Sequence, residues 1–414
     1  MRIPLPFALF GLCLTAALAP AAAPTQGAAA SGVYRNLFRE YLGKSDAEID
    51  ARVNAAFQQL FFGDENSQRL LYPVPGDMAY VPDINNNDVR SEGLSYGMMI
   101  AVQMNHQKEF NQIWKFAKHY MWHDAGPLAG YFTWHVAFNG QQLRDTGPAP
   151  DGEEWFVMAL FFASHRWGDG EGIFNYGAEA QSLLHTMLHK EEDPDRGPMT
   201  NMFDRTAKQI VFTPHPPGST FSDPSYHLPA YYELWSRWAA SPDDRAFLAE
   251  VTQTSRELFK KAAHPVTGLM PDYSNFDGTP HKARWGNHQD FLFDAWRTLS
   301  NPALDYTWWA ADPWQVEQSN RVLKFLASQG PNIPVQFTLE GKALSKAVNA
   351  EGLLAMAATA ALAADREIGQ PFVQRLWAMK MPEGRLRYYN GLLTMIGLLE
   401  VSGHYRIYGP PAAK

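Results

Sequence analysis

Cysteine is nearly absent from this sequence: Cys13 is the single one among 414 residues. It lies in an apolar stretch, 4–18, that follows Arg2 and precedes the small residues 19–23. This order is typical of a signal peptide cleaved near Ala23, so we expect a secreted or periplasmic protein. The mature chain then has no cysteine, which excludes disulfides, a thiolate nucleophile and cysteine-ligated metals.

Dense positive charge and long hydrophobic runs are missing as well. The formal net charge is −8 and no run of five Lys or Arg occurs, which argues against a nucleic acid as partner. The N-terminal apolar run is shorter than the roughly 20 residues that span a bilayer, so we expect no membrane anchor after signal removal. The composition otherwise matches that of soluble globular proteins.

Several catalytic signatures are also lacking. The sequence contains no phosphate-binding Walker loop, no zinc-binding HExxH motif and no dinucleotide fingerprint. His185 and His189 are four residues apart on one predicted helical face, a spacing that two metal ligands can use. Because no carboxylate motif accompanies this pair, we predict neither a metal nor a cofactor.

Helical periodicity dominates the chain. From residue 45 onward, apolar residues recur at i, i+3, i+4 and i+7 between breaks rich in Gly, Pro, Asn and Asp. Start signals such as Ser45-Asp46 precede several segments. We therefore predict twelve helices, at 46–62, 91–105, 107–121, 152–167, 172–190, 225–239, 242–263, 287–299, 313–329, 348–364, 368–378 and 387–402.

Twelve helices spaced as hairpins suit an all-α fold of six helical pairs closed into a ring. We predict a flexible lead-in over 24–33 and one domain over 34–414. The loops between pairs would gather at one end, where functional residues usually lie. Two short stretches, 209–213 and 335–338, are predicted as hairpin arms within those loops.

Carboxylates remain as the groups that could perform catalysis. Most carboxylates cap helices or carry surface charge, so only their neighbours can distinguish a functional one. The candidates fall in or near predicted helix starts and Gly-, Pro- and aromatic-rich loops: Asp83, Asp88, Glu92, Asp145, Asp151, Asp223 and Asp294.

Glu92 is placed at the entry of an apolar helix, where Gly93 and Gly97 allow another backbone or a ligand to come close. Large neighbours such as Tyr96 and Met98 would remove water from Glu92 and raise its pKa, as a general acid requires. Alternatively, Glu92 complements the helix dipole, which would lower its pKa instead.

Asp294 lies between aromatic residues in the sequence FLFDAWRT, with Arg297 about one turn later. An adjacent cation keeps a carboxylate ionised, as a general base requires. A purely structural Asp–Arg pair along a helix explains the same spacing. The local sequence alone leaves both interpretations open.

Aromatic residues make up 13% of the chain, and many stand in or beside loop-like stretches. Flat aromatic faces can stack on sugars, while Asp, Asn and Arg bind the hydroxyl groups. Together with the carboxylates, this content favours a glycan-binding cleft. The aromatic residues concerned are Tyr131, Phe132, Trp134, Trp155, Phe221, Tyr226, Trp285, Tyr388 and Tyr389.

Four motifs in chain order resemble glycoside hydrolase family 8, most closely its branch of reducing-end xylose-releasing exo-oligoxylanases. They are DVRSEGLSYGMMIAVQ, GPAPDGEEWFVMALFFASHRWGDGEGIFNY, FSDPSYHLPAYYELW and FDAWR. The resemblance extends from about Tyr34 to Tyr408. It implies an (α/α)6 barrel, an inverting cleavage of β-1,4-linked xylose chains, and a xylo-oligosaccharide or xylan substrate. We expect a monomer.

The resemblance also implies roles for individual residues. Glu92 corresponds to the family's general acid and Asp294 to its general base. Asp151 corresponds to the Asp that holds the distorted sugar in subsite −1, Tyr226 to the Tyr that helps to hold the attacking water, and Arg297 to the cleft arginine. Further substrate contacts are predicted for Arg90, Tyr131, Trp134, Trp155, Phe221, Tyr388 and Tyr389.

One departure leaves the mode of attack open. Exo-acting relatives carry a Leu-His-Pro stretch beyond the +1 sugar, and the matching place here reads Val348-Asn349-Ala350-Glu351. Internal cleavage of xylan therefore stands beside release of xylose from the reducing end. The sequence also leaves open a cellulase, licheninase or chitosanase of the same family, a non-catalytic glycan-binding protein, and a scaffold for cellulose assembly.

Overall fold

The computed structural model describes residues 25–143 and 145–410. The predicted signal peptide, 1–23, lies outside these residues. The α-helices within them are α1 Ala28–Ser31, α2 Leu37–Leu42, α3 Asp46–Phe62, α4 Ser91–Gln103, α5 Gln107–Tyr120, α6 Pro150–Trp167, α7 Tyr176–His189, α8 Pro229–Trp238, α9 Pro242–Ala262, α10 Asn301–Trp309, α11 Trp314–Ser328, α12 Glu351–Ala360, α13 Arg366–Ala378 and α14 Arg387–Val401.

Helices α3 to α14 form the predicted (α/α)6 barrel. The inner ring consists of α4, α6, α8, α10, α12 and α14, each packed on the next, and α14 closes the ring against α4. The outer ring consists of α3, α5, α7, α9, α11 and α13. Inner helices such as α4 and α14 are buried almost all round, which explains why their sequences are apolar on every side.

Most of the predicted helices are confirmed, but the one over 287–299 is not. In the structure, Phe291 pairs with Phe337, and Asp272 accepts the backbone N–H groups of Leu292 and Ala295. These bonds hold the chain irregular until a 3-10 helix over Asp294–Leu299, after which the unpredicted helix α10 begins. Tertiary hydrogen bonds therefore replaced the helical ones that the apolar spacing indicated.

Three other predicted helices begin three or four residues later than expected. The segment 172–190 opens with a 3-10 turn, Gly172–Phe174, before α7. The segment 225–239 likewise opens with the 3-10 turn Pro224–Tyr226, and α8 starts only at Pro229, since proline suits the first turn of a helix. Helix α12 starts at Glu351 rather than at residue 348.

Strands are short and confined to the loops. They are β1 Tyr72–Val74, β2 Met78–Tyr80, β3 Pro82–Asp83, β4 Asp88–Arg90, β5 His135–Ala137, β6 Phe203–Asp204 and β7 Gln209–Ile210, paired β1-β2, β3-β4-β5 and β6-β7. The predicted arm over 209–213 contains β7, whereas 335–338 contributes only isolated bridges at Phe337. Strand β4 matters most, because it runs directly into α4 and so sets the position of Glu92.

Within the described part of the predicted flexible lead-in, Gly27 and Ala28 pack on the barrel and the other residues are exposed. A Cβ added at Gly27 would lie 2.2 Å from the carbonyl oxygen of Trp308, so the chain lies directly against α10. Ala28 is 2% exposed. The small size of Gly27 and Ala28 permits this close contact, and the flexibility of the lead-in stays a prediction. None of the helices in 25–143 and 145–410 combines the length and apolarity needed to cross a bilayer.

Candidate active site

A cleft made of two adjoining cavities lies across one end of the barrel. The cavities measure about 540 and 460 Å³, and both are lined by Arg90, Glu92 and Asp294. Glu92 stands in the first turn of α4 and Asp151 in the first turn of α6. The loops at this end of the inner ring therefore bring together residues as far apart in the sequence as Glu92 and Arg297, which are separated by 205 positions.

Arg297 joins the carboxylates of the cleft. Its Nη1 donates to Asp151 Oδ2 at 2.9 Å and to Glu92 Oε2 at 3.3 Å, and its Nη2 lies 3.5 Å from Asp294 Oδ1. Nη1 also donates to the Tyr96 hydroxyl at 2.9 Å. The Arg297 side chain is only 5% exposed, so these charged groups interact with little screening by water.

Glu92 has the surroundings of a general acid. Its side chain is 15% exposed, and its Oε1 accepts the hydroxyl of Tyr388 at 2.9 Å. Burial raises the pKa of Glu92 to about 7; Arg297 opposes this rise, and the negative charge of Asp151 adds to it. A carboxyl group with this pKa is still about half protonated at neutral pH and can donate a proton there.

Asp294 is more accessible to solvent than Glu92, with its side chain 35% exposed. It begins the 3-10 helix that carries Arg297. One guanidinium therefore contacts both carboxyls, Glu92 through Nη1 and Asp294 through Nη2. Contacts to the two terminal nitrogens of one guanidinium are compatible with the roughly 6.5–9.5 Å that separates the carboxyls of inverting glycosidases.

Two further buried acids support this arrangement. Asp223 is fully buried, and its Oδ1 accepts the backbone N–H of Ser225 at 2.7 Å, so it caps the turn that carries Tyr226. Burial raises the pKa of Asp223, and the negative charge of Asp294 raises it further. Burial also raises the pKa of Asp272 to about 6, while its hydrogen bond to His288 opposes the rise.

Asp223 is one of the carboxylates predicted from the sequence, whereas Asp272 is not. The Asp272 carboxylate accepts the N–H groups on both sides of Asp294, so it sets the backbone that carries this residue. The sequence signal was present: Asp272 follows a proline and precedes Tyr273 in a loop-like stretch. The other acids were selected because they lie in or near Gly-, Pro- and aromatic-rich loops, and Asp272 meets this criterion too.

Two glycines allow the close packing around Glu92. A Cβ at Gly93 would lie 2.4 Å from Cε2 of Tyr388 and 2.7 Å from its hydroxyl oxygen. A Cβ at Gly152 would lie 2.4 Å from Oγ of Ser91. Real Cβ atoms do not come this close to other atoms, so both positions need glycine if α4, α6 and α14 are to meet as they do.

Arg90 is held in the cleft by two carboxylates and one aromatic face. Its Nε donates to Asp88 Oδ1 at 3.0 Å, and its Nη2 lies 3.4 Å from Asp83 Oδ2. Its guanidinium lies 5.4 Å from the ring centre of Trp134. The candidates Asp83 and Asp88 therefore position Arg90, whereas Asp145 lines the larger cavity.

Aromatic side chains form much of the cleft wall, among them Trp134, Tyr226, Tyr388 and Tyr389, whose roles toward the substrate stay predictions. Trp285 is 52% exposed at the larger cavity. Phe212 and Tyr273, which we had not selected, line the larger cavity beside it, while Phe293, also not selected, lines the smaller cavity and is 50% exposed.

Three predicted contacts lie behind the wall instead. Tyr131 is fully buried and donates to the carbonyl of Thr200, and Phe221 is 1% exposed. Trp155 is 7% exposed and packs edge-on against Tyr96, with 4.5 Å between ring centres. Their positions in the sequence predicted that they face the cleft, but in the folded chain these three rings point into the core.

Ser95 belongs to Gly93–Gly97, which has the GxSxG spacing of serine hydrolases. A nucleophilic serine of that class stands exposed on a sharp strand-to-helix turn. Ser95 instead lies within α4, is fully buried, and donates its hydroxyl to the carbonyl of Glu92 at 2.9 Å. The geometry therefore excludes this serine as a nucleophile.

A helical barrel with paired carboxylates in a cleft lined by aromatic rings defines a glycoside hydrolase. The family model described as glycosyl hydrolases family 8 matches residues 81–403. The chain belongs to this family.

Several known proteins are similar to this chain in sequence and in structure. The reducing-end xylose-releasing exo-oligoxylanase Rex8A of Paenibacillus barcinonensis is 45% identical, over 92% of this chain and 99% of that protein. The reducing end xylose-releasing exo-oligoxylanase of Halalkalibacterium halodurans is 42% identical, over 93% and 97%. A crystal structure of a GH8 xylobiose complex from Teredinibacter turnerae superposes with a TM-score of 0.89, at 45% identity, over 93% of this chain and all of that chain.

We expect Gly93→Ala to lower kcat about 100-fold, because the new methyl group displaces Tyr388 from Glu92, and a shift of about 1 Å can have an effect of this size. Initial rates on xylohexaose measure it. Gly97→Ala, one turn further along α4, is the matched control, since its Cβ would meet only side-chain methyl groups at 3.0 and 3.1 Å. Equal rates for the two variants would contradict this account of Gly93.

We expect kcat/KM to decrease tenfold per pH unit above about pH 7, because the protonated form of Glu92 is the active one and burial raises its pKa to about 7. Activity is retained below this pKa and lost as the pH rises through it. Initial rates at low substrate concentration from pH 5 to 9 measure the profile. Return of each sample to pH 6 controls for inactivation; a flat profile from pH 6 to 9 would disprove the assignment.

Proposed function

We propose that the protein hydrolyses β-1,4-xylosidic bonds of xylo-oligosaccharides with inversion at the anomeric carbon. The bridging of Glu92, Asp151 and Asp294 by Arg297 is the observation that carries this proposal. This network holds a buried carboxyl group of raised pKa and a more accessible carboxylate in one cleft, which supports the proposal. The relatives named for xylose release support xylose chains as the substrate.

In the proposed mechanism, Glu92 donates its proton to the glycosidic oxygen as the bond breaks. Asp294 accepts a proton from a water molecule, which attacks the anomeric carbon from the opposite face. Arg297 attracts the Asp294 carboxylate before this proton transfer and cannot itself be deprotonated. The reaction is a single displacement, so no covalent sugar–enzyme intermediate forms.

Asp151 and Tyr226 act by positioning. Both line the larger cavity and neither lines the smaller one. The family correspondence assigns Asp151 to the −1 sugar, so we place that sugar in the larger cavity and the leaving group in the smaller one. Tyr226 lies beside Arg297, whose guanidinium is 5.5 Å from its ring centre, where it can help to hold the water.

A second candidate, internal cleavage of longer xylan chains, is favoured by the leaving-group side of the cleft. The smaller cavity continues from Glu92 to Val348 and Asn349, the positions at which exo-acting relatives carry their barrier. Its volume of about 460 Å³ is close to the 540 Å³ on the other side.

Secretion is a further proposal and rests on the N-terminal sequence pattern alone.

We expect Glu92→Gln and Asp294→Asn each to lower kcat on xylohexaose by about 10²–10⁴-fold, the usual contribution of a general acid or base. Asp145→Asn, an equivalent change in the same cavity, is the control and should stay within a few-fold of the wild type. Proton NMR of the wild-type reaction should show the α-anomer first. A β-anomer as the first product would rule out inversion.

Xylohexaose with ¹⁸O at its reducing end distinguishes the two modes of attack. Mass spectrometry of early time points should show labelled xylose and unlabelled xylopentaose for release from the reducing end. Labelled xylobiose and xylotriose from the first time point would instead support internal cleavage. Cellohexaose and chitosan hexamer are the comparison substrates; cleavage of these without cleavage of xylohexaose would overturn the proposed function.

A further inference from the structure

The histidine pair on α7 acquires a carboxylate in the folded protein. His185 and His189 lie one turn apart near the end of α7, and Asp244 lies in the first turn of α9. Ligand atoms of these three residues lie within 4.8 Å of one another. The sequence contained no carboxylate motif beside the pair because Asp244 is 55 residues beyond His189 and comes close only through the barrel.

We propose that His185, His189 and Asp244 form a binding site for a divalent transition-metal ion such as Zn²⁺. Two imidazoles and one carboxylate are a donor set that suits zinc and its neighbours rather than Mg²⁺ or Ca²⁺. None of the three residues lines the cleft. The site is therefore separate from the glycosidase chemistry and leaves a fourth position for water.

The orientation of His189 supports this site. Its Nδ1 lies 2.6 Å from Oε1 of Glu192, and its Nε2 lies 2.7 Å from Oδ1 of Asp244. A carboxylate on the second ring nitrogen is the usual way in which proteins orient a metal-binding histidine. Glu192 thus directs Nε2 toward Asp244, and the metal replaces the proton between these two atoms.

His185 completes the set from the solvent side. It is exposed, and its ring stacks on that of His189, with 4.5 Å between centres and 22° between planes. Rotation of this exposed side chain can bring a nitrogen to the roughly 2.0–2.1 Å that zinc requires. A metal ion can reach the site directly from solvent.

The local charge favours a cation overall. Asp244 and Glu192 supply two carboxylates, while the negative end of the α7 dipole is offset by the positive end of the α9 dipole beside Asp244. Arg205 opposes them, since its Nη2 lies 3.4 Å from Nδ1 of His189. One guanidinium against two carboxylates leaves negative charge in excess.

Such an ion would connect two helical hairpins. Helix α7 packs on α6, and α9 packs on α8, so the three ligands come from neighbouring pairs of the barrel. Metal bound only by the folded chain stabilises it in proportion to the logarithm of the metal concentration. The bound ion therefore stabilises the folded chain and takes no part in catalysis.

Two measurements on the untagged, EDTA-treated full chain at pH 7.5 test the proposal. Calorimetric titration with Zn²⁺ should give one bound ion per chain, and thermal unfolding with Zn²⁺ present should show a higher Tm. Mg²⁺ should have neither effect. His185→Ala should weaken Zn²⁺ affinity at least tenfold, and Glu192→Gln about tenfold, as loss of an orienting carboxylate does. Both variants should hydrolyse xylohexaose at the wild-type rate, which shows that they fold.

His404→Ala is the matched control, because His404 also faces an aspartate, Asp50 at 3.1 Å, on the barrel surface. Its Zn²⁺ affinity should equal that of the wild type. Absence of saturable Zn²⁺ binding by the wild-type chain up to millimolar concentration would overturn the proposal. Undiminished binding by His185→Ala would overturn it too, whatever the activity on xylohexaose.

Discussion

The arrangement of the cleft depends on one buried guanidinium. Arg297 contacts Glu92, Asp151 and Asp294, which come from three separate elements of the barrel. Buried carboxylates need a cationic partner, yet one cation cannot balance three negative charges. A proton on Glu92, whose pKa burial raises to about 7, reduces this imbalance. The contact with Arg297 therefore holds the acids in place, while burial makes Glu92 a proton donor in spite of that contact.

The barrel serves this interaction by bringing helix starts to one end. Strand β4 delivers Glu92 into the first turn of α4, while Asp272 and Asp223 set the turns that carry Asp294 and Tyr226. A rigid support of this kind matters because positioning of reacting groups contributes much of the catalytic effect. The proposed metal site lies away from the cleft, where it would add stability without altering this geometry.

Much of the fold and of the site could be predicted from the sequence. The helical spacing predicted most of α3 to α14, because an inner or outer helix of a ring must bury a continuous apolar face. Family motifs selected Glu92, Asp294 and Arg297. The helix predicted over 287–299 failed because Asp272 and Phe337, distant in sequence, hold that segment by hydrogen bonds that no local pattern reveals.

Local chemistry thus decided which segments become helices and which residue types can catalyse, since periodicity and side-chain reactivity belong to the chain. Only the tertiary structure decided which aromatic rings face the cleft: Trp134 and Tyr388 do, while Tyr131 and Phe221 lie in the core. The reason is physical. Burial, the pKa of a carboxyl group and the meeting of distant ligands all depend on contacts across the barrel, and these exist only after the ring closes.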